Sequence, residues 1–235
     1  MTRYFLGCLL LYLLITLVVN FFQNEDQPRR MSFISIGIQA PLFLLALYLA
    51  FDLEAISREL VSFPRIAVGI VAGHFIFALS VILTQGSISA ALYHCLDFRA
   101  VVHFLGENPL LILRFLVVSM TEELIYRAAA QPVIIEYLGG AVLGIGAVAL
   151  IFSITHWHFF RNPPLQSLEF VLFALLLGGV YYGTGSLILV VTIHAVRNLE
   201  IVYLEYEAHT AELGSAEAAQ DKIDEMYTRR VVQSV

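Results

Sequence analysis

Seven apolar runs punctuate the chain: residues 4–22, 32–51, 66–84, a run opening near Pro109, then 133–155, 165–182 and 186–206. Each approaches the roughly 20 residues that a helix needs to cross the hydrocarbon of a bilayer. In hydrocarbon every backbone N–H and C=O must be satisfied within the chain, so such runs fold as helices. The short-period alternation of a barrel is missing from them. The expected fold is therefore all-α: a polytopic transmembrane helical bundle of about seven to eight helices with short interfacial helices.

The polar stretches set the boundaries. "QNEDQPRR" at 23–30 links the first two runs, and "DLEAISREL" at 52–60 reads as an interfacial helix ended near Pro64. Residues 85–108 read as an amphipathic segment closed by Gly106 and Pro109, and Pro109 suits the first turn of the next helix. Pro41 lies inside the second run and is expected to kink it rather than end it. Gly139, Gly140, Gly144 and Gly146 are expected to let helices approach closely. "GTGS" at 183–186 makes a tight turn between the last two runs. The organisation expected is N-terminal membrane helices over 1–108, a helical core over 109–206 and a polar tail over 207–235.

Composition agrees with this picture. The chain is 59% hydrophobic and 14% charged, where soluble domains carry about 25% charged residues. The net charge of −6 forms no basic surface, which argues against a nucleic-acid partner. Cys8 and Cys95 have no metal-type spacing and imply no disulfide. The first apolar run lacks a small-residue cleavage site and reads as a retained helix rather than a signal peptide. Arginines are spread too evenly over alternate loops to orient the bundle.

Three polar groups interrupt the later runs. The first is Thr121-Glu-Glu-Leu-Ile-Tyr-Arg127. Ionisable groups at membrane depth are costly and usually functional. On a helix Glu123 and Arg127 share a face and can neutralise each other, while Glu122 is rotated by about 100° and stays available. The plainer reading is a charge cluster anchoring a helix end at the membrane boundary. The second is Phe152-Ser-Ile-Thr-His156, one turn from Phe to His, with histidine the usual proton-transfer side chain. Here the plainer reading is an interfacial aromatic belt, which suits Trp157 and His158 better than His156. The third is His194-Ala-Val-Arg-Asn198, again one turn apart and deep in an apolar run. Its plainer reading is interhelical hydrogen bonding worth about 0.6–2 kcal/mol. All three occurring in apolar helices points to a polar pocket holding Glu122, His156, His194 and Asn198, a set with a base, a proton carrier and anion-stabilising donors.

In order and spacing these motifs resemble the CPBP family, the CAAX-protease and bacteriocin-processing (Abi) intramembrane proteases, with the pattern EExxxR, FxxxH and HxxxN. The resemblance covers about 109–206. It implies a glutamate-type intramembrane endopeptidase without a cofactor. Glu122 would be the base that activates water, with His156 helping to hold that water. His194 and Asn198 would stabilise the oxyanion, and Glu123 with Arg127 would be the supporting pair. The implied partners are the lipid bilayer and a peptide or protein substrate, lipidated or not. The closing "VVQSV" holds no cysteine, so the chain is not itself a CAAX substrate.

Other readings stay open. His158 beside His156, with His194 and Glu122, could complete a zinc site, although no HExxH is present. A non-proteolytic immunity factor or scaffold would keep the fold without the reaction. A proton or ion transporter could use the same buried Glu and His residues, but no inverted repeat is visible. Arg114, Glu136, Glu169, Glu200 and Glu205 lie in or near apolar runs; Arg114 is expected to pair with a glutamate, and none of them is assigned to catalysis.

Overall fold

The computed structural model describes residues 1–22, 33–52 and 62–229. The expected link at 23–30, the interfacial stretch beyond Asp52 and the closing "VVQSV" lie outside the described residues. Eleven α-helices are described: α1 Thr2–Phe22, α2 Phe33–Asp52, α3 Phe63–Gln85, α4 Ile88–Leu96, α5 Phe98–Glu107, α6 Pro109–Glu123, α7 Gln131–Leu138, α8 Ala141–Thr155, α9 Pro164–Thr184, α10 Leu187–Leu213 and α11 Ala216–Ile223. A π-helical segment, Leu124–Ala130, joins α6 to α7, a 3-10 turn, Trp157–Phe160, follows α8, and a second π-helical segment, Asp224–Arg229, follows α11.

The protein is an integral, multi-pass membrane protein. Among the described residues four helices are long and apolar enough to cross a bilayer: Thr2–Asn20, Phe63–Gln85, Pro164–Thr184 and Leu187–Leu213. The pair Phe98–Glu107 and Pro109–Leu138, bent by 95° at its break, qualifies only when its two parts are counted as one span, which brings the number up to five. Gln39–Asp52 and Ala141–Thr155 are apolar but shorter. Helix α2 runs through Pro41 without ending. The segment at 85–108 is two helices: Ser87 caps α4 by accepting from the Ala90 N–H at 3.1 Å, and Asp97 separates α4 from α5.

The run at 133–155 is not one helix. Gly139 adopts φ +70° and ends α7, a conformation that side chains with a Cβ resist. The chain then turns through Gly140 and α8 packs back on α7. Of the four glycines in this stretch, Gly144 alone is required for a close approach. A Cβ there would lie 2.7 Å from the Ile135 Cα and 2.9 Å from its backbone nitrogen, whereas Gly140 and Gly146 face open space.

The chain divides into two compact units, each discontinuous in sequence. The first comprises Met1–Ile66 and Met120–Val190. In it α1 packs on α2 and α8, α2 packs on the π-helical segment, and α8 packs on α7 and α9. The second comprises Ala67–Ser119 and Val191–Val235. Its core joins Val101 and Phe104 of α5, Leu111 of α6, Leu199, Val202 and Tyr203 of α10, and Ile223 of α11. The polar segment after α10 is thus tied down through the fully buried Ile223.

Burial of charge in the second unit is handled by pairing. His74 Nδ1 on α3 donates to Glu200 at 2.7 Å, and His94 Nδ1 on α4 donates to Glu207 at 2.9 Å. Both acceptors sit on α10, two turns apart. Arg114 meets a backbone carbonyl where a glutamate was expected. Its guanidinium donates to the Tyr227 carbonyl and lies 5.8 Å from that ring's centroid, while Glu205 accepts from the Tyr227 hydroxyl at 2.6 Å. Position along the chain favoured a carboxylate, but the carbonyl that α11 and the segment after it bring up is what reaches Arg114.

Gly144→Ala is expected to destabilise the protein by about 1–3 kcal/mol through overpacking against the Ile135 backbone, and Gly146→Ala to leave stability unchanged. Thermal unfolding of the two purified variants in detergent separates them; equal midpoints would refute the close approach.

Candidate functional site

The first two motifs meet in the first unit. Helix α6 ends at Glu123, and the next seven residues are π-helical and all buried. Their wider turn has a local cause in Pro132. A proline has no N–H to give the carbonyl four residues back, and its ring would press on that carbonyl, here Ala128. The π turn relieves this: the Gln131 N–H reaches the Tyr126 carbonyl, five residues back. The signal was in the sequence, at Pro132, and the α-helical reading of TEELIYR passed over it.

Glu123 and Arg127 nevertheless pair as expected. Arg127 Nε donates to Glu123 Oε2 at 3.0 Å, and both side chains are 0% exposed. The guanidinium also lies 5.4 Å from the Phe152 ring centroid, within cation–π reach. One turn on, Gln131 Nε2 donates to the Gly178 carbonyl of α9 at 2.9 Å. Gly178 is needed here: a Cβ would come within 2.8 Å of Ile145 Cγ2 and 3.1 Å of Gln131 Oε1.

Glu122 turns another way. Its Oε1 lies 3.5 Å from His156 Nε2, with the two side chains 20% and 23% exposed. That is long for a direct hydrogen bond, and the two polar atoms are close enough for one water seated beside them to reach both. His156 is placed by the end of α8. The helix stops at Thr155, and His156 takes an extended backbone, φ −88° and ψ 120°. Its own N–H bonds the Ser153 carbonyl at 3.1 Å. The Phe152 carbonyl, one of the acceptors that every helix end leaves over, then receives the His156 ring through Nδ1 at 2.6 Å. A carbonyl only accepts, so Nδ1 carries the proton, and in the neutral ring Nε2 presents its lone pair on the Glu122 side.

Aromatic rings hold the imidazole. The Phe152 and Phe170 centroids lie 4.5 Å and 5.0 Å from that of His156. Phe170 of α9 also touches His158 edge-on, at 4.9 Å. Sequence reasoning missed Phe170, which α9 brings to His156, Tyr126, which reaches Thr155 and Phe152, and Thr155 itself, the residue just before His156; it missed Gln131 too, although that residue lies one turn after Arg127. Among the described residues no group of three or more His, Cys, Asp or Glu is placed to hold a metal ion, so the zinc alternative acquires no ligand cluster.

The third motif lies on α10 in the second unit. His194 is buried, and Asn198 follows one turn later and is partly exposed. Asn198 Oδ1 accepts from Arg197 Nη1 at 3.2 Å. With its oxygen so engaged, the amide has its NH2 end to donate.

Comparison with known proteins gives one likeness. Residues 105–199 match the family described as Rce1-like, type II CAAX prenyl endopeptidase Rce1-like. The match spans less than half of the chain, and it contains Glu122, Glu123, Arg127, Phe152, His156, His194 and Asn198. This part of the chain is therefore similar to a CAAX-protease domain of the CPBP superfamily. No curated protein and no solved structure matches the chain.

Removing one member of a buried ion pair strands the other. Arg127→Met is expected to cost about 3–5 kcal/mol, and the double variant Glu123→Gln/Arg127→Met to recover part of it. Unfolding of the single and double variants in a double-mutant cycle checks this; additive losses would deny the pair any coupling.

Proposed function

We propose that the protein is an intramembrane endopeptidase that hydrolyses a peptide bond with water activated by Glu122. The observation that carries this reading is the approach of Glu122 to His156, both partly buried, inside the stretch that resembles a CAAX-protease domain.

A water seated beside the two groups can give one hydrogen to the Glu122 carboxylate and the other to the His156 Nε2 lone pair. Its oxygen lone pair is then turned outward. As that oxygen attacks a substrate carbonyl carbon, Glu122 takes one proton from it. A carboxylate partly withdrawn from water is a stronger base than one in bulk solvent, because burial disfavours its charge. The carbonyl oxygen becomes an oxyanion, and His194 and Asn198 are assigned to it as hydrogen-bond donors, worth several kcal/mol in such a role. When the tetrahedral intermediate collapses the C–N bond breaks, and the proton held by Glu122 passes to the leaving amine. Glu123 and Arg127 neutralise each other, so the arginine of the motif is engaged by the neighbouring acid.

In this reading the shorter apolar helices lie in the bilayer with the longer ones, giving a bundle of seven to eight membrane helices. Residues 109–206 form the catalytic core, 1–108 supply further membrane helices, and 207–235 form a polar tail. The substrate class is a membrane-associated peptide: a prenylated tail, a leader peptide or a segment of another membrane protein.

Purified protein incubated with prenylated and unprenylated peptides, with products identified by mass spectrometry, tests the reaction. Glu122→Gln is expected to lower the rate at least 10²-fold, and His156→Ala by about 10²–10⁴-fold, with a chelator having no effect. Wild-type protein that cleaves no peptide, or a Glu122→Gln variant of native activity, would falsify the peptidase reading. Loss of cleavage on chelation would restore the zinc alternative.

A further inference from the structure

The Phe152 carbonyl has a second donor besides His156. Thr155 Oγ1 donates to it at 2.8 Å. Its one hydroxyl proton is thereby used, so in its contact with the Tyr126 hydroxyl, at 3.0 Å, Thr155 is the acceptor and Tyr126 the donor. The bonds form one directed chain: Tyr126 O–H to Thr155 Oγ1, Thr155 O–H to the Phe152 carbonyl, and His156 Nδ1–H to the same carbonyl. Tyr126, Phe152 and Thr155 are all buried. The Tyr126 ring also stands edge-on to the Phe152 ring, 5.1 Å between centroids and 87° between planes.

We propose that Tyr126 is a positioning residue for His156: through Thr155 and the Phe152 carbonyl it holds the imidazole in the Nδ1–H tautomer, with Nε2 facing Glu122. The physical argument is polarity. Each bond in a buried chain polarises the next. A Thr155 hydroxyl that accepts from Tyr126 is a better donor to the carbonyl, and its orientation is no longer free. The carbonyl oxygen is then fixed where both donors need it, and a ring rotation that would offer Nδ1 to Glu122 instead must break the bond at the helix end. The device also ties the two halves of the pairing together. Tyr126 lies four residues after Glu122, so the segment that carries the carboxylate also governs the ring that faces it.

The catalytic importance of this lock rests on the proposed peptidase reaction; its effect on the tautomer does not. The test therefore has two arms. In the first, protein in lipid nanodiscs carries ring-labelled histidine, and nitrogen chemical shifts are read at a pH where the ring is neutral. The His156 signals are assigned by comparison with His156→Gln. Wild type is expected to show the Nδ1–H form, Tyr126→Phe and Thr155→Val a mixture of both tautomers, and Thr155→Ser the wild-type pattern. In the second arm, kcat for peptide cleavage is expected to fall on the order of tenfold in Tyr126→Phe with KM unchanged, and to be retained in Thr155→Ser. Tyr126→Phe protein that folds and keeps both the wild-type tautomer and the wild-type kcat would overturn the proposal. So would a loss of rate that Thr155→Ser shares. If wild type cleaves nothing, the peptidase reading fails by itself, and the nitrogen shifts still decide the lock.

Discussion

A carboxylate and a guanidinium shut away from water must meet each other, and the pairing of Glu123 with Arg127 meets that demand inside a segment with no exposed residue. Leaving either charge unpaired there would cost several kcal/mol. Once the pair is made, its helix segment can be buried on every side, with α2 against it and the Phe152 ring of α8 under the guanidinium. Glu122, one residue earlier, is left on a different side of the turn. Two adjacent acids thus acquire unlike surroundings, one neutralised and dry, the other partly open and facing a histidine.

The histidine side of that arrangement comes from a helix end. An α-helix that stops leaves carbonyls without intrahelical donors, and a buried end must find donors elsewhere. Helix α8 finds them in Thr155 and His156, whose side chains fold back on the Phe152 carbonyl. Satisfying the backbone therefore also orients the imidazole. Phe152 serves twice, its ring beneath Arg127 and beside His156, its carbonyl holding the ring nitrogen. Stability and site geometry draw on the same few atoms here, so substitutions at Phe152 change both together.

The second unit follows the same rule with different partners. His74 and His94 meet Glu200 and Glu207 on α10, and Arg114 meets a backbone carbonyl brought up after α11. The difference between Arg114 and Arg127 is instructive. Arg127 has its carboxylate one helical turn away, a spacing visible in the chain. The Arg114 partner at Tyr227 lies more than a hundred residues on, and backbone carbonyls carry no signature in a sequence.

Apolar run length determined the helical class and the membrane setting of this protein, because a hydrocarbon environment admits few other ways to satisfy a backbone. The one-turn spacing of Glu123 and Arg127 likewise made their pairing legible, since local helix geometry suffices to bring them together, while Phe152 and His156 stayed close in the chain but met through the end of α8. The packing of α8 back on α7, the arrival of Phe170 beside His156 and of Tyr126 at Thr155, and the carbonyl that meets Arg114 were decided only when helices packed. Those features depend on which backbone atoms are left unsatisfied and which distant side chains arrive to meet them, and neither is a property of neighbouring residues in a chain.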